Sequence, residues 1–289
     1  SKKTNDDVDR CADIRVSNLR KAEEVREKAI GVYKYIVTSF PDFEELDRIL
    51  FALGFNYQQK QQNEEAKTIY TELIRSFPES RMLSDALFNL ADIYFASGDV
   101  PGASQLYNHV INNYTKSPVY PYAVYKLGWC FYNTTDYQGA LNQFIKVIDL
   151  QNALSAKQKK KNRLSLKKEA QRDLVRVYVN IQRATASGAL KLLKKYAPER
   201  FDELAERLAD LYTGTGQFDK STNVLRKLIA KNPQSYRVVG YQIRISENIA
   251  NTHSPEEAIR SLKRLVTLWK SVKDASDAEP KRVHEDHKG

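Results

Sequence analysis

The residues of this chain that could do chemistry are few, and their spacing forms no familiar catalytic pattern. The segment HEDH places His284 and His287 at an i, i+3 spacing that could bind a metal ion, but it lies in a charged tail without periodicity. His109 has no Cys, His or acidic cluster near it in the sequence, and His253 falls in a predicted turn. We therefore expect no metal site.

Signatures of phosphate-binding loops, zinc proteases, nucleophile elbows and redox CxxC pairs do not occur in the sequence. The adjacent carboxylates Glu64-Glu65 and Glu256-Glu257 follow residues suited to cap a helix, where the positive end of the helix dipole favours acidic side chains. Helix starts thus explain them without acid–base chemistry. The sequence predicts no catalytic residue, no cofactor and no enzyme.

The two cysteines point to structure rather than reactivity. Cys130 lies between Trp129 and Phe131, where a buried thiol in an apolar core is expected. Cys11 lies in a polar segment far away in sequence, so a disulfide between the two is not expected. We expect both to be reduced.

Charge provides a second candidate function. The chain has 46 basic and 36 acidic residues, a formal net charge of +10, and residues 157–168 (KQKKKNRLSLKK) hold seven Lys and Arg with no acid. Such a run could bind nucleic acid or an anionic membrane surface. It lacks the interleaved aromatic residues on which bases stack, so the sequence favours a protein partner over nucleic acid.

One stretch, residues 47–78, sets the pattern for the rest of the chain. Numbered from its first residue, it has apolar or small residues at positions 4, 7, 8, 11, 20, 24 and 27 and Pro at position 32. These residues are Leu50, Leu53, Gly54, Tyr57, Ala66, Tyr70, Leu73 and Pro78. Spacings of three and four place them along one face of each of two helices, and the small residues allow a close approach. The stretch predicts a helical hairpin.

The same positions recur at a regular interval. Repeats start at residues 47, 84 and 121, which are 37 residues apart, and the register extends in both directions. A hairpin this short cannot bury both apolar faces alone, so we predict an all-α solenoid over residues 10–270, between a flexible segment at 1–9 and a disordered tail at 271–289. The predicted repeats lie near 10–43, 47–80, 84–117, 121–150, 168–198, 202–235 and 239–270, with a basic insertion at 151–167.

This register resembles the tetratricopeptide repeat, which has Leu at position 7, a small residue at 8, an aromatic residue at 11, Ala at 20, an aromatic residue at 24 and Pro at 32. The likeness covers about residues 10–270 and is strongest in four repeats. It implies a right-handed superhelix of about six to seven repeats, whose first helices line a concave groove that binds a protein or peptide.

The groove positions implied by the resemblance are unusually aromatic. In the second, third and fourth repeats, eight of eighteen such positions are aromatic, against 10% in the whole chain. The candidate partner-binding residues are Phe51, Phe55, Phe88, Asn89, Asp92, Phe95, Tyr122, Tyr125, Lys126, Trp129 and Tyr132, followed in the fifth repeat by Arg172 and Arg176. Exposed aromatic rings provide much contact area for little lost side-chain entropy.

Three alternatives remain open for these positions. The chain itself, or the insertion, could cover the rings, and the Trp129 region could instead form the dimer face of a self-associating module. The change from Arg172 and Arg176 to Glu206 and Asp210 could orient an elongated partner or simply form a solvated surface.

A closer resemblance concerns two segments, VYKLGWCFYNTTDYQGALNQFIKVIDL and LKKEAQRDLVRVYV. They are similar to exported tetratricopeptide proteins of deltaproteobacteria, including the gliding-motility protein of myxobacteria. The resemblance implies a scaffold in the periplasm or at the outer membrane that binds subunits of an envelope complex; a cytoplasmic location is the alternative. The chain starts at Ser1 rather than Met, and we expect membrane association only through a portion removed from the N-terminus.

Overall fold

The structure is a computed structural model that describes residues 2–153 and 166–278. Within these residues the chain forms thirteen α-helices and no strand. The helices are α1 Lys2–Ser39, α2 Leu46–Gln59, α3 Asn63–Ser76, α4 Leu83–Ala96, α5 Val100–Asn113, α6 Tyr120–Asn133, α7 Tyr137–Ala153, α8 Leu166–Asn180, α9 Ala186–Tyr196, α10 Phe201–Gly214, α11 Phe218–Lys231, α12 Arg237–Thr252 and α13 Pro255–Ala278. Most of the basic run, the HEDH segment and the side chain of Cys11 lie outside the described residues.

The chain divides into two compact units, unit 1 at residues 1–130 and unit 2 at residues 131–289, with the boundary inside α6. In unit 1, each helix from α1 to α4 packs against the next one in the chain. In unit 2, α7 packs against α8, and each helix from α10 to α12 packs against the next one. This architecture of consecutive helical hairpins confirms the predicted all-α solenoid.

The repeat positions predicted to form the core do so. In the second repeat Leu50, Leu53, Tyr70 and Leu73 are at most 1% exposed. The close approach of α2 and α3 depends on Gly54, because a Cβ atom there would lie 2.8 Å from Cε1 of the Tyr70 ring. A glycine is thus required where the two helices touch.

Burial is not complete at every core position: Leu262, at position 24 of the last predicted repeat, is 49% exposed. Position 11 varies between repeats, and Tyr212 is fully buried there. Tyr94 and Phe131 are half-buried rather than enclosed. The Lys67 ammonium lies 4.9 Å from the centroid of the Tyr94 ring, where a cation is attracted to the face of the ring.

The turn between the two helices of a hairpin has the same backbone geometry in several repeats. Position 15 takes a positive φ in four repeats, at Gln61 (60°), Gly98 (88°), Thr135 (62°) and Gly216 (72°). In three of these repeats, the N–H of the residue at position 16 donates a hydrogen bond to the carbonyl of the residue at position 11. The bond from Asp99 to Tyr94, at 2.9 Å, is one example. This bond is typical of a Schellman helix end, and only glycine adopts its left-handed conformation without cost.

Two terminal boundaries differ from the prediction. A single helix, α1, spans Lys2–Ser39 where the register predicts a hairpin and a flexible start, because residues 2–30 contain neither Gly nor Pro to end a helix. The last helix continues to Ala278, just before Pro280, so residues 271–278 are helical rather than disordered. The apolar stripe over residues 19–39 is compatible with one helix or two, and the structure has one continuous helix there.

The fifth repeat, α8 and α9, is held partly by polar contacts. The buried Gln171 side chain donates to the Glu199 carboxylate and to the Tyr196 carbonyl, both at 2.9 Å, and the Lys167 ammonium lies 2.9 Å from Glu199. Burial opposes ionisation of Glu199, but the hydrogen bonds from Gln171 and Lys167 outweigh it and lower the pKa of this carboxyl to about 2. The polar contacts tie the start of α8 to the end of α9.

The turn geometry predicts opposite effects for substitutions at the same repeat position. Gln61→Gly and Thr135→Gly should each raise the free energy of unfolding by about 0.5–1 kcal/mol, because they relieve a left-handed conformation. Gly98→Ala should lower it by about 1 kcal/mol for the same reason. Urea unfolding followed by circular dichroism measures all three, and a neutral Gly98→Ala would contradict the interpretation.

Candidate functional site

Unit 1 presents a surface of rings on its first helices, which we call the aromatic face: Phe51, Phe55, Phe88, Tyr122, Tyr125 and Trp129. On α2, Phe51 and Phe55 lie one turn apart and stack, with centroids 6.5 Å apart and ring planes 20° apart. The Phe51 ring also packs on Tyr70 of α3, at 6.0 Å between centroids. A buried second-helix tyrosine therefore supports the rings of the first helix.

The next repeat builds the same arrangement. The Phe88 ring lies 5.8 Å from that of buried Tyr107 and 6.4 Å from that of Tyr122, in tilted and edge-on geometries. Position 24 thus supports position 5 in both repeats. The sequence assigned Tyr70 and Tyr107 only to the core, although their recurrence opposite Phe51 and Phe88 was the available signal for this second role.

Polar groups on the aromatic face are bound within the chain. The buried Tyr107 hydroxyl donates to the Asp92 carboxylate, whose Oδ1 atom lies 2.9 Å from the Lys126 ammonium. The same ammonium lies 5.9 Å from the centroid of the Phe95 ring. Burial, reinforced by the Asp92 charge, raises the pKa of Tyr107 far above its ordinary value, so the hydroxyl keeps its proton and remains a donor.

A similar hydrogen bond forms one repeat earlier. Tyr70 donates its hydroxyl to the Gln58 side chain at 3.1 Å, and the nearby Asn89 side chain acts to lower the pKa of Tyr70. Burial still raises the pKa of Tyr70 well above its usual value. Hydrogen bonds to Gln58 and Asp92 therefore fix the two supporting tyrosines.

The buried thiol of Cys130 lies beside this cluster. Its side chain is buried, and its sulfur atom is not part of a disulfide. Burial raises the pKa of the thiol to about 11, with the Lys126 charge opposing the shift and the Asp92 charge adding to it. A thiol held in its protonated form is a poor nucleophile.

The predicted partner-binding residues of unit 1 differ in how far solvent reaches them. Phe55 is 44% exposed. The others are half-buried: Phe51, Phe88, Asn89, Asp92, Phe95, Tyr122, Tyr125, Lys126 and Trp129. The rings are therefore anchored on one side and accessible on the other.

The remaining candidates lie in unit 2. Tyr132 is half-buried and meets Tyr137 edge-on at 5.5 Å between centroids. Arg172 lies 3.4 Å from Glu169, and Arg176 lies 3.8 Å from Asp173, each within one helix.

The acidic positions that follow in α10 are also paired. Glu206 accepts from Arg237 at 3.1 Å and from the Tyr241 hydroxyl, and Asp210 pairs with Arg244. The chain therefore offsets the predicted change from basic to acidic residues with counter-charges of its own.

Comparison with protein families agrees with the geometry. The family model described as tetratricopeptide repeat matches residues 48–80, 85–117, 122–150 and 206–235. These segments are tetratricopeptide repeats. Among solved structures, a tetratricopeptide repeat protein from Parabacteroides merdae is 18% identical, with a TM-score of 0.45, and the match covers 90% of this chain and 96% of that one. BtubC (BKLC) from P. vanneervenii is 12% identical, with a TM-score of 0.38 and coverage of 88% and 92%.

No curated protein sequence matches the chain. Within the part of the chain that the structure describes, no three His, Cys, Asp or Glu residues come together as a metal site. In that same part, every helix is too short or too polar to cross a membrane.

The bond between Tyr107 and Asp92 can be measured by a double-mutant cycle. Asp92→Ala should cost about 1–3 kcal/mol of unfolding free energy, because it leaves a buried hydroxyl without an acceptor. In a Tyr107→Phe background the same change should cost at least about 1 kcal/mol less. Chemical denaturation of the four proteins gives the coupling, and strictly additive costs would show that the bond does not form.

Proposed function

We propose that the protein is a non-enzymatic scaffold whose aromatic face binds a segment of a partner protein. The observation that carries the proposal is that one set of residues fills the core of the second and third repeats while a separate set of rings lies at their surface. The core positions are filled by other residues. The position-5 rings of two repeats, Phe51 and Phe88, rest on buried tyrosines, and Phe55 at position 9 stacks on Phe51. Tetratricopeptide repeats typically serve as scaffolds for protein–protein interaction, which supports the proposal.

The geometry suits an interface for energetic reasons. Phe51 and Phe88 are already held against Tyr70 and Tyr107. A partner that covers these two rings therefore causes little further loss of side-chain entropy. Phe55 adds an exposed ring stacked on the first of them. Rings held in this way, each partly covered, are typical of residues that dominate binding energy.

The chemistry of the partner segment follows from the paired charges. Asp92 and Lys126 neutralise each other, and the Tyr107 hydroxyl donates a further hydrogen bond to the Asp92 carboxylate. The face therefore offers rings rather than an uncompensated charge. A segment with apolar or aromatic side chains suits such a face better than a charged one.

The test compares variants of the aromatic face with a matched exposed ring elsewhere in unit 1. The triple variant Phe55→Ala, Tyr125→Ala and Trp129→Ala should recover at least about tenfold less partner in affinity capture from the native cell. Tyr35→Ala removes a ring that is 62% exposed on α1 and should leave recovery unchanged.

Because Tyr125 and Trp129 are half-buried, the single change Phe55→Arg serves as a second variant that disturbs packing less. Helical circular dichroism must match the unmodified protein before capture is compared. Equal recovery by both aromatic-face variants and the unmodified protein would reject the proposal.

We further propose that the scaffold belongs to a bacterial envelope or motility complex, in the periplasm or at the outer membrane. The support is the resemblance of the YKLGWCFYN helix and the KKEAQRDL segment to exported tetratricopeptide proteins. Fractionation of the native cell tests it, with recovery in periplasmic or outer-membrane fractions as the expected result. Recovery only with cytoplasmic marker proteins would contradict the proposed location.

A further inference from the structure

Unit 2 contains an open cavity of about 510 Å³ on the side formed by second helices. Its walls come from α9 and α11, the second helices of the fifth and sixth repeats, and from the first residue of α10. Four lysines surround it: Lys191 and Lys194 on α9, and Lys227 and Lys231 on α11. The i, i+3 and i, i+4 spacings place each pair on one side of its helix.

The charge of this lysine cavity is largely uncompensated. Lys231 pairs with Asp202, with its Nζ atom 2.7 Å from Oδ2. The other three lysines have no carboxylate within ion-pair distance among the residues that the structure describes, and all four are exposed. This differs from Arg172, Arg176, Glu206 and Asp210, which the chain pairs internally. An uncompensated cluster of like charges attracts anions.

The cavity also has an apolar part. Leu190, Leu228 and the ring of Phe201 lie among its lining residues, and the aliphatic stems of the lysines extend the apolar surface. The Phe201 ring already interacts with two ammonium groups, Lys194 at 5.8 Å and Lys231 at 4.9 Å from the centroid. Because cations occupy the ring, Phe201 is poorly placed to stack on a nucleic-acid base.

We propose that the lysine cavity binds an acidic segment of a protein, in which Asp or Glu side chains flank an apolar residue. The carboxylates would pair with Lys191, Lys194 and Lys227, and the apolar side chain would lie against Leu190, Leu228 and the lysine stems. The ammonium groups favour a partner with negative charge. The apolar lining residues favour a peptide with an apolar side chain over a polymer that offers only phosphates. This site is independent of the aromatic face.

The test uses the full chain and a fluorescent peptide in which a central Leu-Leu pair is flanked by Glu residues. Fluorescence anisotropy at low salt should show binding that falls at least about tenfold in Lys191→Glu, Lys194→Glu, Lys227→Glu. The matched control, Lys263→Glu, Arg264→Glu, Lys270→Glu, makes the same charge change at exposed positions of α13 and should change binding less than about twofold. Equal losses in both proteins would overturn the proposal, since net charge alone would then explain binding.

Three further measurements keep the outcome decisive. The neutral set Lys191→Gln, Lys194→Gln, Lys227→Gln replaces the charge reversal if that variant loses helical circular dichroism, and it should still weaken binding. Replacing Leu-Leu by Ser-Ser in the peptide should weaken it as well, and no effect would refute the apolar contact. Phe55→Ala should leave peptide binding intact, which separates this site from the aromatic face.

Phosphate-bearing polymers form the competing class of ligand. Inorganic polyphosphate and oligo-dT are the probes, each measured against the same variants. If either binds more tightly than the peptide and depends on the same lysines, the cavity is a phosphate site and the proposal is wrong. No binding of the peptide by the unmodified protein at low salt would also overturn it.

Discussion

The close approach of the two helices inside each hairpin is the constraint on which the rest of the structure depends. In the second repeat Gly54 leaves room for the Tyr70 ring, which is completely buried and fills the space between α2 and α3. With the tyrosine fixed there, its outer edge becomes a support for Phe51. Packing inside the hairpin and presentation of rings outside it are thus two consequences of one contact.

The polar groups follow the same logic. A buried tyrosine hydroxyl needs an acceptor, and Asp92 supplies one for Tyr107 while remaining paired with Lys126. The polar groups of Tyr107, Asp92 and Lys126 are consequently bound within the chain, and the rings beside them remain as contact surface for a partner. In unit 2, most groove-side charged residues of α8 and α10 also form ion pairs within the chain, whereas three of the four lysines of the lysine cavity do not.

Periodicity made the helical hairpins and their core predictable, because a repeat of 37 residues places the same residue types at the same contacts. The left-handed residue at position 15 is predictable only at Gly98 and Gly216, since Gln61 and Thr135 are not residues that favour positive φ. The repeat register alone does not decide between one helix and two in the first repeat; the absence of Gly and Pro from residues 2–30 favours the single helix that the structure has.

The lysine cavity could not be found from sequence for a different reason. Its two pairs lie in separate helices, and either pair alone looks like an ordinary solvated face. The network around Gln171 is similar, since its partner Glu199 follows a helix of irregular length. Contacts across repeats with an altered register depend on packing geometry, which periodicity does not specify.

The most direct measurement of the central claim is site-specific photo-crosslinking in the native cell. A photoreactive phenylalanine analogue at Phe55 should form a crosslink to another protein, because this ring is exposed on the supported side of α2. The same analogue at Arg75, exposed on the second helix α3, should not form that adduct. An adduct at position 75 but none at position 55 would contradict the claim that the first-helix rings receive the partner.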